Sequence, residues 1–159
     1  MAYFFHANEI AKSAVEIERK GRAFYMRLVE SSPEGKVRTL FKYLADEEAK
    51  HEQIFQLLME RLGKIELPAW ATNEEYSIYL ESLIQSHALF SDKAVEEKLA
   101  NTLEEREAIL MAMGFEKDTL LFFTEMETLV PESERTAVRE CINEERLHLS
   151  RLQKMLQEL

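Results

Sequence analysis

The chain has 159 residues, with 46% apolar side chains, four glycines and a formal net charge of −10. This length suits one domain with a substantial core, so we expect residues 1–159 to fold as a single domain. The 31% of charged residues and the three prolines favour long helices. The acidic balance, without a basic cluster, argues against a nucleic-acid partner. There is no run of 18 apolar residues to span a membrane.

The N-terminal segment Met-Ala-Tyr-Phe-Phe-His lacks the charged start and the apolar run of a signal peptide, so we expect a cytoplasmic protein. The single cysteine, Cys141, excludes an intramolecular disulfide and a Cys-x-x-Cys iron site. Because buried free cysteines are common, we interpret Cys141 as a small core residue rather than a redox group.

The first two long helices are predicted to form a hairpin. Helix A covers about 8–30, with Asn8 as its cap, and helix B covers about 33–62. Pro33 suits the first position of helix B, and Gly63 suits the residue that ends it. Because so few residues separate the two helices, we expect them to pack antiparallel.

The next segment, 64–101, is too long for a turn. It contains two shorter helical stretches, near 74–86 and 92–100. We therefore predict a long helical crossover between helices B and C of a four-helix bundle. The aromatic side chains of the crossover either cover the bundle or form a dimer interface, and these are Trp70, Tyr76, Tyr79 and Phe90.

The last two long helices follow the crossover. Thr102-Leu-Glu-Glu105 is a capping-box sequence that predicts the start of helix C, over about 102–129. Pro131 ends this pattern, and helix D covers about 132–157. The predicted fold class is therefore all-α, with four long helices and one crossover.

Two Glu-x-x-His motifs occur, one on helix B and one on helix D. Residues three apart on a helix share a face, so each motif directs a carboxylate and an imidazole to the same point. A further glutamate precedes each motif by 30 or 29 residues, on helices A and C. Four carboxylates and two imidazoles are the ligand set of di-iron and di-manganese four-helix bundles. The six candidate metal ligands are Glu18, Glu48, His51, Glu116, Glu145 and His148.

An internal repeat supports this interpretation. Glu18 and Glu116 are 98 residues apart and Glu48 and Glu145 are 97 apart, so the two halves keep one register. The same positions interrupt apolar helix faces. A buried, unpaired carboxylate costs on the order of several kcal/mol, and two divalent ions offset four of them. Carboxylate and imidazole ligands favour iron or manganese over the metals that thiolates select.

These motifs resemble those of the rubrerythrin-like branch of the ferritin-like superfamily, over most of the chain. The matching segments are Glu18-x-x-Gly-x-x-Phe-Tyr, Asp-Glu-Glu48-Ala-Lys-His51, Glu116-Lys-Asp followed by Phe122-Phe123, and Asn-Glu-Glu145-Arg-Leu-His148. The resemblance implies a ferritin-like four-helix bundle that holds two iron ions, with manganese or a mixed pair as alternatives.

The resemblance also assigns roles to the six ligands. It implies that Glu48 and Glu145 bridge the two metals. It implies that Glu18 and Glu116 are terminal ligands, and that each histidine holds one metal.

Two features differ from typical rubrerythrins. Their rubredoxin domain, which delivers electrons, needs several cysteines, and these 159 residues contain one. Rubrerythrins also usually place a second carboxylate three residues after the helix C ligand, where this chain has Thr119. In its six ligands the site also resembles those of bacterioferritins and other ferritin-like ferroxidases.

The predicted function is a di-iron oxidoreductase that reduces hydrogen peroxide or dioxygen, as a rubrerythrin-like peroxidase or a ferroxidase. We expect electrons from an external donor such as a rubredoxin-like protein, and a homodimer. Two alternatives from other classes are iron binding or storage without turnover, and a bundle with a vestigial site that acts through partner contacts.

Five further residues have open roles. Tyr25 lies on the face of the first ligand, where it either hydrogen-bonds a ligand carboxylate or packs as a core tyrosine. Glu47 and Glu144 each precede a bridging candidate, where they orient the histidines, guide metal entry, or form a solvated helix face. His6 and His87 lie outside both motifs, and we interpret them as surface or packing residues.

Overall fold

The computed structural model describes residues 4–87, 92–100 and 103–159. Within these ranges the secondary structure is helical apart from one isolated β-bridge. The α-helices are α1 (Ala7–Ser31), α2 (Lys36–Leu62), α3 (Glu74–Gln85), α4 (Asp92–Ala100), α5 (Glu105–Leu129) and α6 (Arg135–Glu158).

The four long helices form a bundle of two hairpins. Helix α1 packs along α2, α5 packs along α6, and the hairpins meet through α1 with α5 and α2 with α6. The predicted all-α bundle, with its helical crossover between the second and third long helices, is therefore confirmed. None of the described helices is both long and apolar enough to cross a membrane.

The starts of α1 and α5 differ from the prediction. Helix α1 begins at Ala7 with His6 as its cap, not Asn8. The reason is that the Glu9 carboxylate accepts the backbone N–H groups of Phe5 and His6, at 2.7 and 2.9 Å. Helix α5 begins at Glu105, later than the predicted 102, with Glu104 and Glu107 as its capping box. A side chain that satisfies free N–H groups determines the first helical residue in both cases.

The turn between α1 and α2 also differs from the prediction. Pro33 lies outside both helices, and α2 begins at Lys36 with Gly35 as its cap. Gly35 has a positive φ of 156°, a conformation that glycine adopts at no steric cost. The predicted end at Gly63 is confirmed, with a φ of 51°. Helix α6 begins at Arg135 rather than 132, because a 3₁₀ turn over Glu132–Glu134 precedes it.

The crossover contacts the bundle at its beginning and again through α3. Its beginning pairs with the residues before α1, since Ala7 N donates to Ile65 O at 2.8 Å and Leu67 N donates to Phe5 O at 3.1 Å. A 3₁₀ turn over Ala69–Thr72 then leads into α3.

Helix α3 packs on α5 through two tyrosines. The hydroxyls of Tyr76 and Tyr79 donate to the Glu125 carboxylate at 2.8 and 2.9 Å, so both side chains contact the bundle, and Tyr79 remains 37% exposed. Trp70 lies edge-on to Tyr76 and remains 52% exposed. Phe90 lies outside the described residues.

The interior of the bundle is apolar except at its centre. Fully buried aromatic and aliphatic side chains from the four long helices fill it, including Phe41, Leu44, Phe55, Phe115, Phe122 and Phe123. Between these layers lie charged side chains with no more than 1% of their surface exposed. Charged groups are almost never fully buried unless they are paired or bind a metal, so this central cluster is the candidate functional site.

Candidate metal centre

The structure brings together all six residues that the sequence predicts as metal ligands. Helix α1 contributes one glutamate, α5 contributes one, and α2 and α6 each contribute a glutamate and a histidine one turn apart. Each side chain is 0–1% exposed, and the set is Glu18, Glu48, His51, Glu116, Glu145 and His148. The i, i+3 spacing places both members of each Glu-x-x-His pair on the buried face of its helix.

The six residues form two overlapping groups, each able to hold one metal ion. Within each group, one ligand atom per residue lies within 4.8 Å of the others. Glu48 and Glu145 belong to both groups. One group adds Glu18 and His51, and the other adds Glu116 and His148. The geometry therefore offers two neighbouring metal positions that share two carboxylates.

Both imidazoles present the same ring nitrogen to the carboxylates. His51 Nδ1 lies 2.8 Å from Glu145 Oε1 and 3.6 Å from Glu18 Oε2. His148 Nδ1 lies 3.1 Å from Glu145 Oε2 and 3.6 Å from Glu116 Oε1. The two rings stack, with centroids 5.7 Å apart and planes 21° apart. Each Nδ1 is thus positioned to bind a metal, while each Nε2 points away from the cluster.

The outer nitrogens of the two histidines have different surroundings. His51 Nε2 contacts the carboxylate of Glu144, which reaches across from α6. This contact is what the predicted orienting role requires, and the Glu144 side chain is also 46% exposed. Glu47 instead pairs with Lys50 on its own helix, at 2.5 Å. No side chain in the described part of the chain hydrogen-bonds His148 Nε2.

Tyr25 contacts a predicted ligand directly. Its ring is fully buried, and its hydroxyl donates a hydrogen bond to Glu116 Oε1 across the bundle from α1 to α5. Of the two predicted roles, a carboxylate partner and a packed core tyrosine, the structure shows both at once. The ring packs against Phe41 and Phe115, with centroids 6.1 and 5.8 Å away.

Burial raises the pKa of three of the four carboxyl groups, so they bind protons more readily than exposed carboxyl groups do. Burial and, after it, neighbouring carboxylates raise the pKa of Glu48 well above its ordinary value. Burial is also the largest cause of the raised pKa of Glu18. For Glu116, burial and the nearby Glu145 raise the pKa to about 8. Without a cation the cluster therefore holds protons in its place.

Glu145 and the two histidines behave as oppositely charged partners. Although burial raises the pKa of Glu145, hydrogen bonds from Glu116 and the two imidazoles lower it below the ordinary range. Burial lowers the pKa of each histidine, but hydrogen bonds to the neighbouring carboxylates overcome this and raise it to about 11 for His51 and for His148. Metal binding at the Nδ1 atoms must therefore displace protons.

The chemistry of the donors fits two divalent ions. Within the described ranges, both carboxylate oxygens of Glu18 and of Glu48, and Oε2 of Glu116, are buried without a hydrogen-bond partner. Buried polar atoms without partners are rare because each costs free energy. These oxygens, together with the two Nδ1 atoms, are the ligand types that iron and manganese prefer. Two divalent ions also carry the +4 charge that balances four carboxylates.

The structural role of Gly21, one turn after Glu18, was not predicted from the sequence. A Cβ atom at this position would lie 2.5 Å from Phe115 Cζ and 2.9 Å from Glu48 Oε2. Only a residue without a side chain leaves room for both the aromatic ring and the carboxylate. The Glu-x-x-Gly spacing on a buried helix face was the available signal.

His87 and Thr119 form a second buried polar pair. His87 is 1% exposed, and its Nε2 lies 2.9 Å from Thr119 Oγ1. Its ring is edge-on to Phe115, with centroids 5.3 Å apart. Of the surface and packing roles predicted for His87, the structure shows packing. His6, at the N-terminal cap of α1, is partly exposed.

Cys141 is buried in the core, as predicted. It lies one turn before Glu145 on α6. Burial raises the pKa of its thiol to about 12, so the thiol stays protonated at neutral pH. A protonated, buried thiol is unreactive.

Comparison with known proteins agrees with this geometry. The family model for rubrerythrin matches residues 9–156, which include all six residues of the buried cluster. The chain belongs to the rubrerythrin family. A search of curated proteins found no match.

Among solved structures, this rubrerythrin-family chain is similar to a Thermotoga maritima protein described as a ferritin-like diiron-carboxylate protein. The TM-score is 0.76, the sequences are 25% identical, and the alignment covers 99% of each chain. The predicted ferritin-like fold is thereby confirmed.

Proposed function

We propose that this protein is a di-iron oxidoreductase that reduces hydrogen peroxide or dioxygen, using electrons from a separate donor. The observation that supports it most is the pair of overlapping four-residue groups that share Glu48 and Glu145. The family and the fold support the same chemistry. A manganese or mixed pair fits the same oxygen and nitrogen ligands.

The six side chains would hold the two ions of the proposed centre. Glu48 and Glu145 would be the shared ligands, Glu18 and Glu116 would be terminal ligands, and each histidine would bind one ion through Nδ1. When bound as a ferrous pair, the group would supply the two electrons that, with two protons, convert hydrogen peroxide into two waters or dioxygen into hydrogen peroxide, and it would become diferric.

The surrounding residues keep the centre dry and fix its shape. Phe115 packs against the position of Gly21 and so closes one side of the Glu48 carboxylate. The Tyr25 hydroxyl holds Glu116 in place, and Glu144 holds the ring of His51. Precise placement by supporting side chains is what a reactive metal centre requires.

Return to the ferrous state requires electrons from outside this part of the chain. The described residues contain no second cluster of His, Cys, Asp and Glu able to hold a metal. The buried, protonated Cys141 is not suited to exchange electrons with a donor. A small external redox protein, such as a rubredoxin-like donor, is therefore part of the proposal.

The test begins with protein loaded anaerobically with ferrous iron. We expect about two irons per chain, and a near-ultraviolet ferric absorption that forms after hydrogen peroxide or air is added. Faster formation with peroxide identifies a peroxidase, and faster formation with air identifies an oxidase or ferroxidase.

The variant that tests the assignment is Glu48→Ala, because Glu48 belongs to both metal positions. We expect it to lose bound iron and the oxidation signal. The matched control is Glu60→Ala, at an exposed position on the same helix, which should behave as the wild type. Retained iron content and unchanged oxidation in Glu48→Ala would refute the proposal.

A further inference from the structure

The two proposed metal positions have the same ligand types but different surroundings. Because Glu48 and Glu145 are shared, any difference in affinity must come from the private ligands of each position. Glu18 and His51 belong to one position, and Glu116 with its histidine belongs to the other. We call these the α1/α2 position and the α5/α6 position, after the helices of their private ligands.

The histidine of the α1/α2 position is supported from behind. The Glu144 carboxylate contacts His51 Nε2, which fixes the ring and keeps the other nitrogen, Nδ1, directed at the metal. A carboxylate behind a metal-bound imidazole also makes the imidazole a stronger ligand. Because Glu144 is about half exposed, it provides this support without being part of the buried cluster.

The histidine of the α5/α6 position lacks this support. By the internal repeat, Glu47 on α2 corresponds to Glu144 on α6, since each precedes a shared glutamate. The Glu47 carboxylate is paired with Lys50 instead. Among the described residues, His148 Nε2 has no hydrogen-bond partner, and the imidazole and the Tyr43 ring are nearly perpendicular, with centroids 6.3 Å apart.

The private carboxylates also have different surroundings. The Tyr25 hydroxyl donates to Glu116 Oε1, while Glu116 Oε2 has no hydrogen-bond partner among the described residues. The corresponding residue on α5 is Phe123, which has no hydroxyl to offer Glu18. Within the described ranges, neither oxygen of Glu18 has a hydrogen-bond partner outside the six-residue cluster.

We propose that the α1/α2 position binds a divalent metal ion more tightly than the α5/α6 position and fills first. This inference rests on the proposed metal centre, and it names Glu144 as the positioning residue that makes the two positions unequal. Removing a hydrogen-bond partner of a metal ligand typically weakens binding about 10–100-fold.

The first test is a titration of metal-free protein with Co²⁺, followed by calorimetry and by visible absorption. We expect two resolved steps in the wild type. His148→Ala should keep the tight step and lose the weak one, whereas His51→Ala should lose the tight step. The opposite pattern, or equal affinities in the two variants, would overturn the proposal.

The second test does not depend on removing a buried ligand. Glu144→Gln should weaken the tight step about 10–100-fold and leave the weak step unchanged. Glu47→Gln is the matched control, since it changes the corresponding residue on α2, and both steps should remain as in the wild type. Equal effects of the two substitutions, or a Glu144→Gln effect confined to the weak step, would contradict the inference. Thermal unfolding of each metal-free variant checks the fold.

The result also separates this inference from the proposed function. Two ions that bind with equal affinity would leave the metal centre intact and refute only the order of filling. Less than one Co²⁺ per chain in the wild type would refute both.

Discussion

The Tyr25 hydroxyl donates a hydrogen bond to the Glu116 carboxylate and so connects α1 to α5 inside the core. The two residues are 91 positions apart in the sequence. Because both groups are fully buried, a carboxylate oxygen that loses this donor has no water to replace it.

We therefore expect Tyr25→Phe to destabilise the metal-free protein by about 1–3 kcal/mol. The loss should be smaller in the metal-loaded protein, because a bound ion holds Glu116 as well. Urea unfolding with and without metal measures both values. Tyr79→Phe is a matched control, since it removes a hydroxyl whose bond to Glu125 is exposed, and its cost should be less than half as large. If the two substitutions lowered the free energy of unfolding equally, the buried hydrogen bond of Tyr25 would stabilise the protein no more than a surface hydrogen bond does.

Gly21 is expected to tolerate no side chain. In Gly21→Ala the new methyl group would lie 2.5 Å from Phe115 Cζ and 2.9 Å from Glu48 Oε2, so the ring and the carboxylate must move. We expect a loss of about 1–3 kcal/mol in stability and weaker metal binding, because Glu48 belongs to both proposed positions.

Gly114→Ala provides the control for this substitution. A Cβ atom at Gly114, within α5, would meet nothing within 4 Å. Since alanine is the better helix former, this variant should gain up to about 1 kcal/mol with unchanged metal binding. A neutral Gly21→Ala variant with full metal content would show that the centre is looser than the structure indicates.

The sequence predicted the cluster better than it predicted the helix ends. The six candidate ligands have helical spacing, keep a repeated register and interrupt apolar helix faces, and together with the family resemblance this pattern predicted that they lie close to one another. The ends of helices depend on which side chain reaches a free N–H group, and Glu9 was not distinguishable from Asn8 in that role.

The different partners of Glu47 and Glu144 were also beyond the sequence. Glu47 and Glu144 occupy equivalent positions in the repeat. Only the packing of α2 against α6 shows that Glu144 reaches a histidine while Glu47 pairs with Lys50. Likewise, no local signal connects His87 to Thr119, 32 residues away.

The metal-free protein should lose stability as the pH rises from 7 to 9. In the folded state the pKa values of His51 and His148 are raised to about 11, so both side chains stay protonated between pH 7 and 9. In the unfolded chain the same histidines lose their protons above a pH of about 6.5. A raised folded pKa contributes stability that is present below the unfolded pKa and disappears as the pH approaches the folded one. The raised pKa of Glu116, about 8, acts in the same direction.

The size and the test of this dependence follow from proton linkage. Each such group contributes up to about 1.4 kcal/mol for every pH unit in this window. Urea unfolding in the presence of a chelator, at pH 7, 8 and 9, measures the slope. Bound metal should reverse the trend, because metal ions require deprotonated ligands and bind more tightly as the pH rises. A metal-free protein that gains stability between pH 7 and 9 would be inconsistent with a protonated cluster.

Thr119→Val tests whether Thr119 has a structural role only. The substitution keeps the shape of the side chain but removes the hydroxyl that lies 2.9 Å from His87 Nε2. Burial and the charge of Lys20 lower the pKa of His87 to about 4, so the imidazole is neutral at pH 7 and needs this hydrogen bond inside the core. We expect a loss of about 1–3 kcal/mol in stability, with two metal ions per chain retained.

Thr119→Ser separates the hydroxyl from the methyl group of Thr119. Serine keeps the hydrogen bond to His87 and loses only a buried methyl group, at a cost of about 1 kcal/mol. Stability should therefore rank wild type above Thr119→Ser above Thr119→Val, and metal content should be the same in all three. If Thr119→Val instead bound one ion fewer while Thr119→Ser bound two, the Thr119 hydroxyl would be a metal ligand, and the centre would have seven protein ligands rather than six.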